Sequence, residues 1–250
     1  MEDRSLFKKF TWLKGKVVLD VACGCGGKTV YYVLNLSPNI AVGIDLDYER
    51  LKVGAVFSRE KSVSNKLSFV RADAGFLPFR RDEFDMVIMN LCFEHFSNPS
   101  RVLHEGSRVL VKSGEILINF EPYLSMWGAH IAHLVPIPWC HILFSDETLV
   151  KAVKGSLRNS IVDFTDFDFN TICDFACLNQ MTISKFRHIV QSSSSSLNLE
   201  YFTLLPSSFQ NYPFSLLNWF TRLLVRIPFV REFFTYQVIT KLKKVKESEP

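Results

Sequence analysis

The chain lacks several features that would settle its class at once. Its six cysteines, at positions 23, 25, 92, 140, 173 and 177, include no C-x-x-C pair and have no histidines at zinc-finger spacing, which excludes a disulfide scaffold and a structural zinc site. They read as reduced, packed thiols, and no metal is expected. No run of about 18 apolar residues marks a membrane span, and Met1-Glu2-Asp3-Arg4 leads into no apolar leader, so a cytoplasmic protein is expected. The formal net charge is only +4, with Lys241, Lys243, Lys244 and Lys246 clustered in the tail, so charge points to no DNA or RNA partner. Internal repeats are missing, and the serine run Ser192 to Ser196 is the one low-complexity stretch, read as a loop.

What is present is length and aromatic bulk. At 250 residues one large core is the expectation, a single domain over 1–250, and 23 phenylalanines call for a bulky core or a wide apolar pocket. From Lys16 to Phe120 short apolar runs alternate with helix-length segments, as in a parallel sheet with helices on both faces. Strands are predicted at Val17 to Val21, Ile40 to Ile44, Leu67 to Val70, Asp85 to Met89 and Glu115 to Phe120. Helices are predicted at Lys28 to Leu36, Tyr48 to Arg59 and Pro99 to Val111, followed by a turn at Lys112-Ser113-Gly114. Tyr123 to Phe144 has no clean period and reads as a lid insertion. Helices at Asp146 to Lys154, with Ser145 as cap, and at Ser184 to Gln191 precede two late strands, Leu197 to Leu204 and Phe233 to Leu242, which close one edge as an antiparallel pair. The fold class is α/β: a doubly wound, seven-stranded, mostly parallel sheet with an antiparallel edge strand and a lid.

The densest chemical signal is Val17 to Thr29, a buried strand that enters the glycine turn Gly24-Cys25-Gly26-Gly27 and opens a helix. Such a turn lets backbone approach a ligand closely. A P-loop nucleotide triphosphatase is one reading, because Ala22 to Thr29 fits a relaxed Walker A spacing ending in Gly27-Lys28-Thr29; Asp20 would then put negative charge beside the phosphates. A dinucleotide enzyme is a second, but Gly24-Cys25-Gly26-Gly27-Lys28-Thr29 ends in threonine where G-x-G-x-x-G needs glycine. A third is a cofactor without phosphate, such as S-adenosylmethionine, with Asp20 toward its ammonium group, Asp45 on its ribose diol and Asp73 on its adenine amino group. The 21 positions from Gly24 to Asp45 suit one βαβ unit.

With these segments in place the chain resembles the class I S-adenosylmethionine-dependent methyltransferases, in particular the group related to quinone-biosynthesis C-methyltransferases. Leu19-Asp20-Val21-Ala22-Cys23-Gly24-Cys25-Gly26 is similar to the family's first motif, with Ala22 where many members have glycine, a mild departure. Gly43-Ile44-Asp45-Leu46-Asp47 resembles its ribose-binding strand end, and Arg71-Ala72-Asp73-Ala74 with Leu77-Pro78-Phe79 its adenine segment. Phe84 to Asn90 and Arg108 to Glu115 resemble the later motifs, Ser113-Gly114 replacing the commoner Pro-Gly-Gly turn. The likeness is strong over Gly15 to Pro122. It implies a cofactor-binding half (1–122), lid and acceptor-side elements (123–232), and a last strand with a basic tail (233–250). Asp20, Ala22, Cys23, Gly24, Gly26, Asp45, Leu46, Asp73, Ala74 and Asn90 are then the cofactor residues.

Methyl transfer from a sulfonium depends on alignment, with a base required only if the acceptor must lose a proton. His95, His130 and His141 are the candidates for that role, with Glu121 and Tyr123 beside them. The aromatic segment 214–229, with Arg222 and Arg226 one turn apart, reads as a helix on its own core or as a peripheral membrane contact suited to a hydrophobic small-molecule acceptor. A subunit that keeps the cofactor fold without turnover is the non-enzymatic alternative.

Overall fold

The computed structural model describes residues 13–158, 169–207 and 217–245. The opening tetrapeptide, residues 214–216 of the aromatic segment and Lys246 lie outside the described residues. The first half alternates strand and helix: β1 (Val17–Val21), α1 (Gly27–Leu36), β2 (Ile40–Asp45), α2 (Tyr48–Glu60), β3 (Leu67–Arg71), β4 (Phe84–Asn90), α3 (Pro99–Val109) and β5 (Leu110–Phe120). Then come α4 (Cys140–Leu143), α5 (Asp146–Arg158), α6 (Ile172–Ala176), α7 (Ile183–Ser192), β6 (Leu197–Pro206), α8 (Leu217–Leu224), α9 (Arg231–Phe234) and β7 (Thr235–Lys244).

Seven strands form one sheet in the order β3-β2-β1-β4-β5-β7-β6. β1 to β5 pair in parallel, while β7 lies antiparallel between β5 and β6. The expected antiparallel pair therefore closes this edge, with β7 the member that opposes the other strands. Val18, Met86, Ile88 and Leu117 join Tyr32 of α1 on one face, and Leu19, Val21, Val87, Met89, Ile116 and Ile118 join Leu103 of α3 and Phe186 of α7 on the other. Alternating side chains that are apolar on both faces are what a sheet covered by helices requires, and each such fully buried side chain contributes about 1.5–3 kcal/mol.

Local chemistry fixes the helix starts. Asp47 caps α2 by accepting from the Glu49 and Arg50 amides, and Asn98 caps α3 ahead of Pro99, whose missing N–H is no loss in the first turn. Three expectations need correction. The third helix stops at Val109 rather than Val111, because Leu110 already pairs with Phe84, and the predicted turn at Lys112-Ser113-Gly114 is an irregularity inside β5, with Ser113 at φ 64°. Phe233 and Phe234 belong to α9, so the last strand begins at Thr235, whose hydroxyl caps Arg231 O at 2.6 Å. The insertion is no loose flap: Ala129, Ile131 and Val135 pack with Cys140, Leu149, Val153, Phe169 and Ile172 in a core of their own.

Candidate functional site

The loop after β1 turns on Ala22 (φ 54°), Gly24 (φ 56°) and Gly26 (φ 68°), all left-handed. Gly24 meets no atom on the side where a β carbon would stand, so its backbone faces open space. A β carbon on Gly26 would overlap the Phe69 ring, which also lies against Gly43 and Gly54, so the loop, β2 and α2 close on one aromatic side chain. Ala22 has the conformation that suits glycine, so its departure from the family pattern has a local cost of about 1–2 kcal/mol.

Asp20 lies beneath this loop at 3% exposure and accepts the Thr29 hydroxyl at 2.6 Å. Burial pushes its carboxyl up to about 6, against the opposing pull of that hydrogen bond. The side chain thus holds the first turn of α1, rather than standing free toward a ligand. Thr29 is fully buried with its hydroxyl on Asp20, which does not fit a P-loop, where that hydroxyl belongs on magnesium.

Asp45 ends β2 and binds the loop. Gly24 N donates to its Oδ2 at 2.8 Å and Asp47 N to its Oδ1 at 2.9 Å, while Cys23 N donates to Ile44 O at 2.9 Å. Burial, with Asp20 and Asp45 nearby, holds the Cys23 thiol well above its ordinary range. Leu46 is exposed beside this carboxylate. Ala72 N donates to Asp45 O at 3.1 Å, which draws the end of β3 alongside; Asp73 Oδ1 then accepts from Gly75 N at 2.7 Å over the buried Ala74. Asn90 ends β4, its Oδ1 accepting from Asn119 Nδ2 at 3.0 Å while its own Nδ2 is buried without a partner. All ten residues expected at a cofactor stand at the carboxyl ends of β1 to β4, the side where open α/β sheets take ligands.

A second cluster lies past β4 and β5. Glu94 is 1% exposed; its Oε1 accepts from Glu121 N at 3.1 Å and its Oε2 has no partner. Burial pushes its carboxyl up to about 7. His130 Nε2 stands 3.4 Å from Glu121 Oε2 and its ring meets that of His95 at 5.3 Å between centroids. Burial works against the His130 imidazolium, but Glu121 and then Glu94 outweigh it, and the net shift is upward. His95 and His141 are shifted down, chiefly by burial. His95 Nδ1 lies 3.0 Å from Cys177 O, and His141 packs on Tyr123 at 4.9 Å. His130 of the insertion thus meets His95 and Glu121, while His141 packs on Tyr123. Glu94 escaped sequence reasoning, its only signal being its place directly before His95.

Residues 19–118 match the family model described as a methyltransferase domain. The chain is 38% identical over 154 residues to phthiotriol/phenolphthiotriol dimycocerosates methyltransferase 1 of Mycobacterium ulcerans, covering 59% of this chain and 53% of that one. It is 28% identical over 143 residues to the ubiquinone/menaquinone biosynthesis C-methyltransferase UbiE of Blochmanniella pennsylvanica, covering 52% and 56%. The chain therefore spans about half the length of the curated relatives it matches. In fold it is similar to geranyl diphosphate C-methyltransferase from Streptomyces coelicolor, with a TM-score of 0.62 at 12% identity over 96% of this chain and 77% of that one. Residues 19–118 therefore carry a methyltransferase domain by sequence, and the fold is that of class I methyltransferase structures. Within that class it is similar to the quinone-biosynthesis C-methyltransferases.

Proposed function

We propose that the chain binds S-adenosylmethionine and transfers its methyl group to a small lipophilic acceptor, taken at a lipid surface. The observation that carries this reading is the Gly24–Asp45 bridge, which sets a carboxylate at the end of β2 against the open face of the loop. Asp45 is the acceptor for ribose hydroxyls, Leu46, Asp73 and Ala74 border the adenine, and the backbone of Ala22, Cys23, Gly24 and Gly26 adjoins the amino-acid moiety. Asn90, with its unpartnered amide, faces the same cleft from β4. The cofactor supplies a methyl group already activated on a sulfonium. The chain's own residues orient the acceptor, exclude water and hold its proton.

On the acceptor side, His130 takes a proton through Nδ1, which has no hydrogen-bond partner among the described residues, while Glu121 orients the ring and stabilises the imidazolium. His95 and His141 border the same space. Relatives named for phthiotriol and ubiquinone/menaquinone methylation support a lipophilic acceptor. Titration calorimetry with adenosylhomocysteine tests the reading: heat is expected, with none from ATP and magnesium. Labelled cofactor should then pass its methyl group to a lipid-extract fraction. Tight cofactor binding without any labelled acceptor would favour a non-catalytic subunit.

A further inference from the structure

Several apolar side chains of α8 and the turn after it are exposed. Thr221 is buried and its hydroxyl donates to Ser207 O at 2.8 Å, which fixes the side of the helix turned to the protein. Away from it stand Trp219, 70% exposed, then Phe220, Leu223 and Ile227, and the turn ends on Phe229 at 92% exposure. On the helix Trp219 and Phe220 stand four and three residues before Leu223, and the turn carries Ile227 and Phe229 beyond them. Arg222 and Arg226 are exposed beside it, and neither has an ion-pair partner among the described residues. Aromatic bodies flanked by unpaired guanidinium groups match the boundary of an anionic bilayer, where the rings enter the headgroup region and the cations meet lipid phosphate.

The stripe is joined to the cleft. The α8 turn leads into α9, where the Trp139 indole donates to Phe233 O at 3.0 Å and its ring meets that of Phe234 at 5.5 Å. Trp139 opens α4. That short helix packs His141 on Tyr123, yet leaves Ile142 and Leu143 exposed, the latter at 64%. One small element therefore carries a polar contact of the acceptor side and an apolar outer surface.

We propose that α8, its turn and the outer side of α4 form a docking face for an anionic lipid surface, at which the acceptor enters the cleft beside Glu121 and His130. A second copy of the chain fits this face less well, since a two-fold contact would bring Arg222 and Arg226 of both copies together without acids to pair them. The inference rests on a lipophilic acceptor, but its test needs neither acceptor nor cofactor, so each reading can fail alone.

The test is co-sedimentation of the full chain with phosphatidylcholine vesicles, with and without phosphatidylglycerol. Binding to the anionic vesicles is expected, with a blue shift of tryptophan emission that W219F diminishes. W219S/F229S should abolish sedimentation while leaving adenosylhomocysteine affinity unchanged. R222Q/R226Q, which removes no apolar contact, should lower partitioning about 25-fold at low salt, each charge contributing about fivefold. Failure of the wild type to sediment, or sedimentation indifferent to both variants, overturns the proposal. So does a concentration-dependent dimer in ultracentrifugation that W219S/F229S dissolves.

Discussion

The Gly24 amide donates to Asp45 Oδ2 at 2.8 Å, so the loop after β1 and the end of β2 share one carboxylate. Replacing Asp45 by alanine removes both the loop anchor and the proposed ribose acceptor. Adenosylhomocysteine affinity should fall by roughly 5- to 150-fold, the equivalent of about 1–3 kcal/mol for a charge-assisted hydrogen bond. Calorimetry on the variant checks this, and an unaltered dissociation constant would remove Asp45 from the site.

Glu94 makes stability depend on pH in a direction opposite to that of a salt-bridged acid. Its carboxyl rises from 4.5 to about 7 on folding, so the folded chain holds this proton more tightly than the unfolded chain. That contribution is complete below pH 4.5, declines as pH rises and is gone above 7, a change on the order of 3 kcal/mol. Glu94→Gln has no proton to lose. The variant should melt above the wild type at alkaline pH and no higher in acid, as scanning calorimetry across that range will show.

The base role proposed for His130 requires the neutral ring, and Glu121 helps to hold its pKa above the usual 6.5. The methyl-transfer rate should therefore rise with pH through that elevated value. Glu121→Gln should move the rising limb to lower pH, and His130→Ala should lower kcat by about 10²–10⁴, the usual worth of a positioned base. Cofactor affinity should be unaltered in both. A pH–rate profile that ignores the Glu121 change would assign the proton elsewhere.

Ala22 offers a stability test within the loop. At φ 54° its β carbon is strained, so Ala22→Gly should stabilise the chain by about 0.5–1 kcal/mol after the greater freedom of glycine in the unfolded state is subtracted. Ala22→Val should lower Tm. Equal melting of all three proteins would show that the loop relaxes.

The strand ends that carry the proposed cofactor residues were legible, because strand ends follow from apolar runs: Asp45 and Asn90 each terminate one. The limits of α3 were less legible, since Leu110 and Val111 extend a helical apolar pattern equally well, and only pairing with β4 decides for the strand. Glu94 was hidden for a deeper reason. Its burial and its bond to Glu121 N arise from two strand ends and an insertion meeting in space, and no local pattern records a carboxyl that loses its water that way. The outward turn of Trp219 is similar: an amphipathic sequence marks a stripe without saying which way it faces.

The position of β7 between β5 and β6 has a consequence for biosynthesis. Ile116, Ile118 and Phe120 pair with Leu242, Thr240 and Val238, so a nascent chain carries β5 as a bare apolar border until more than a hundred further residues have been made. Such borders recruit other chains. Ribosome stalling within that interval should therefore yield aggregates, whereas release after Lys244 should yield a chain that stays in solution.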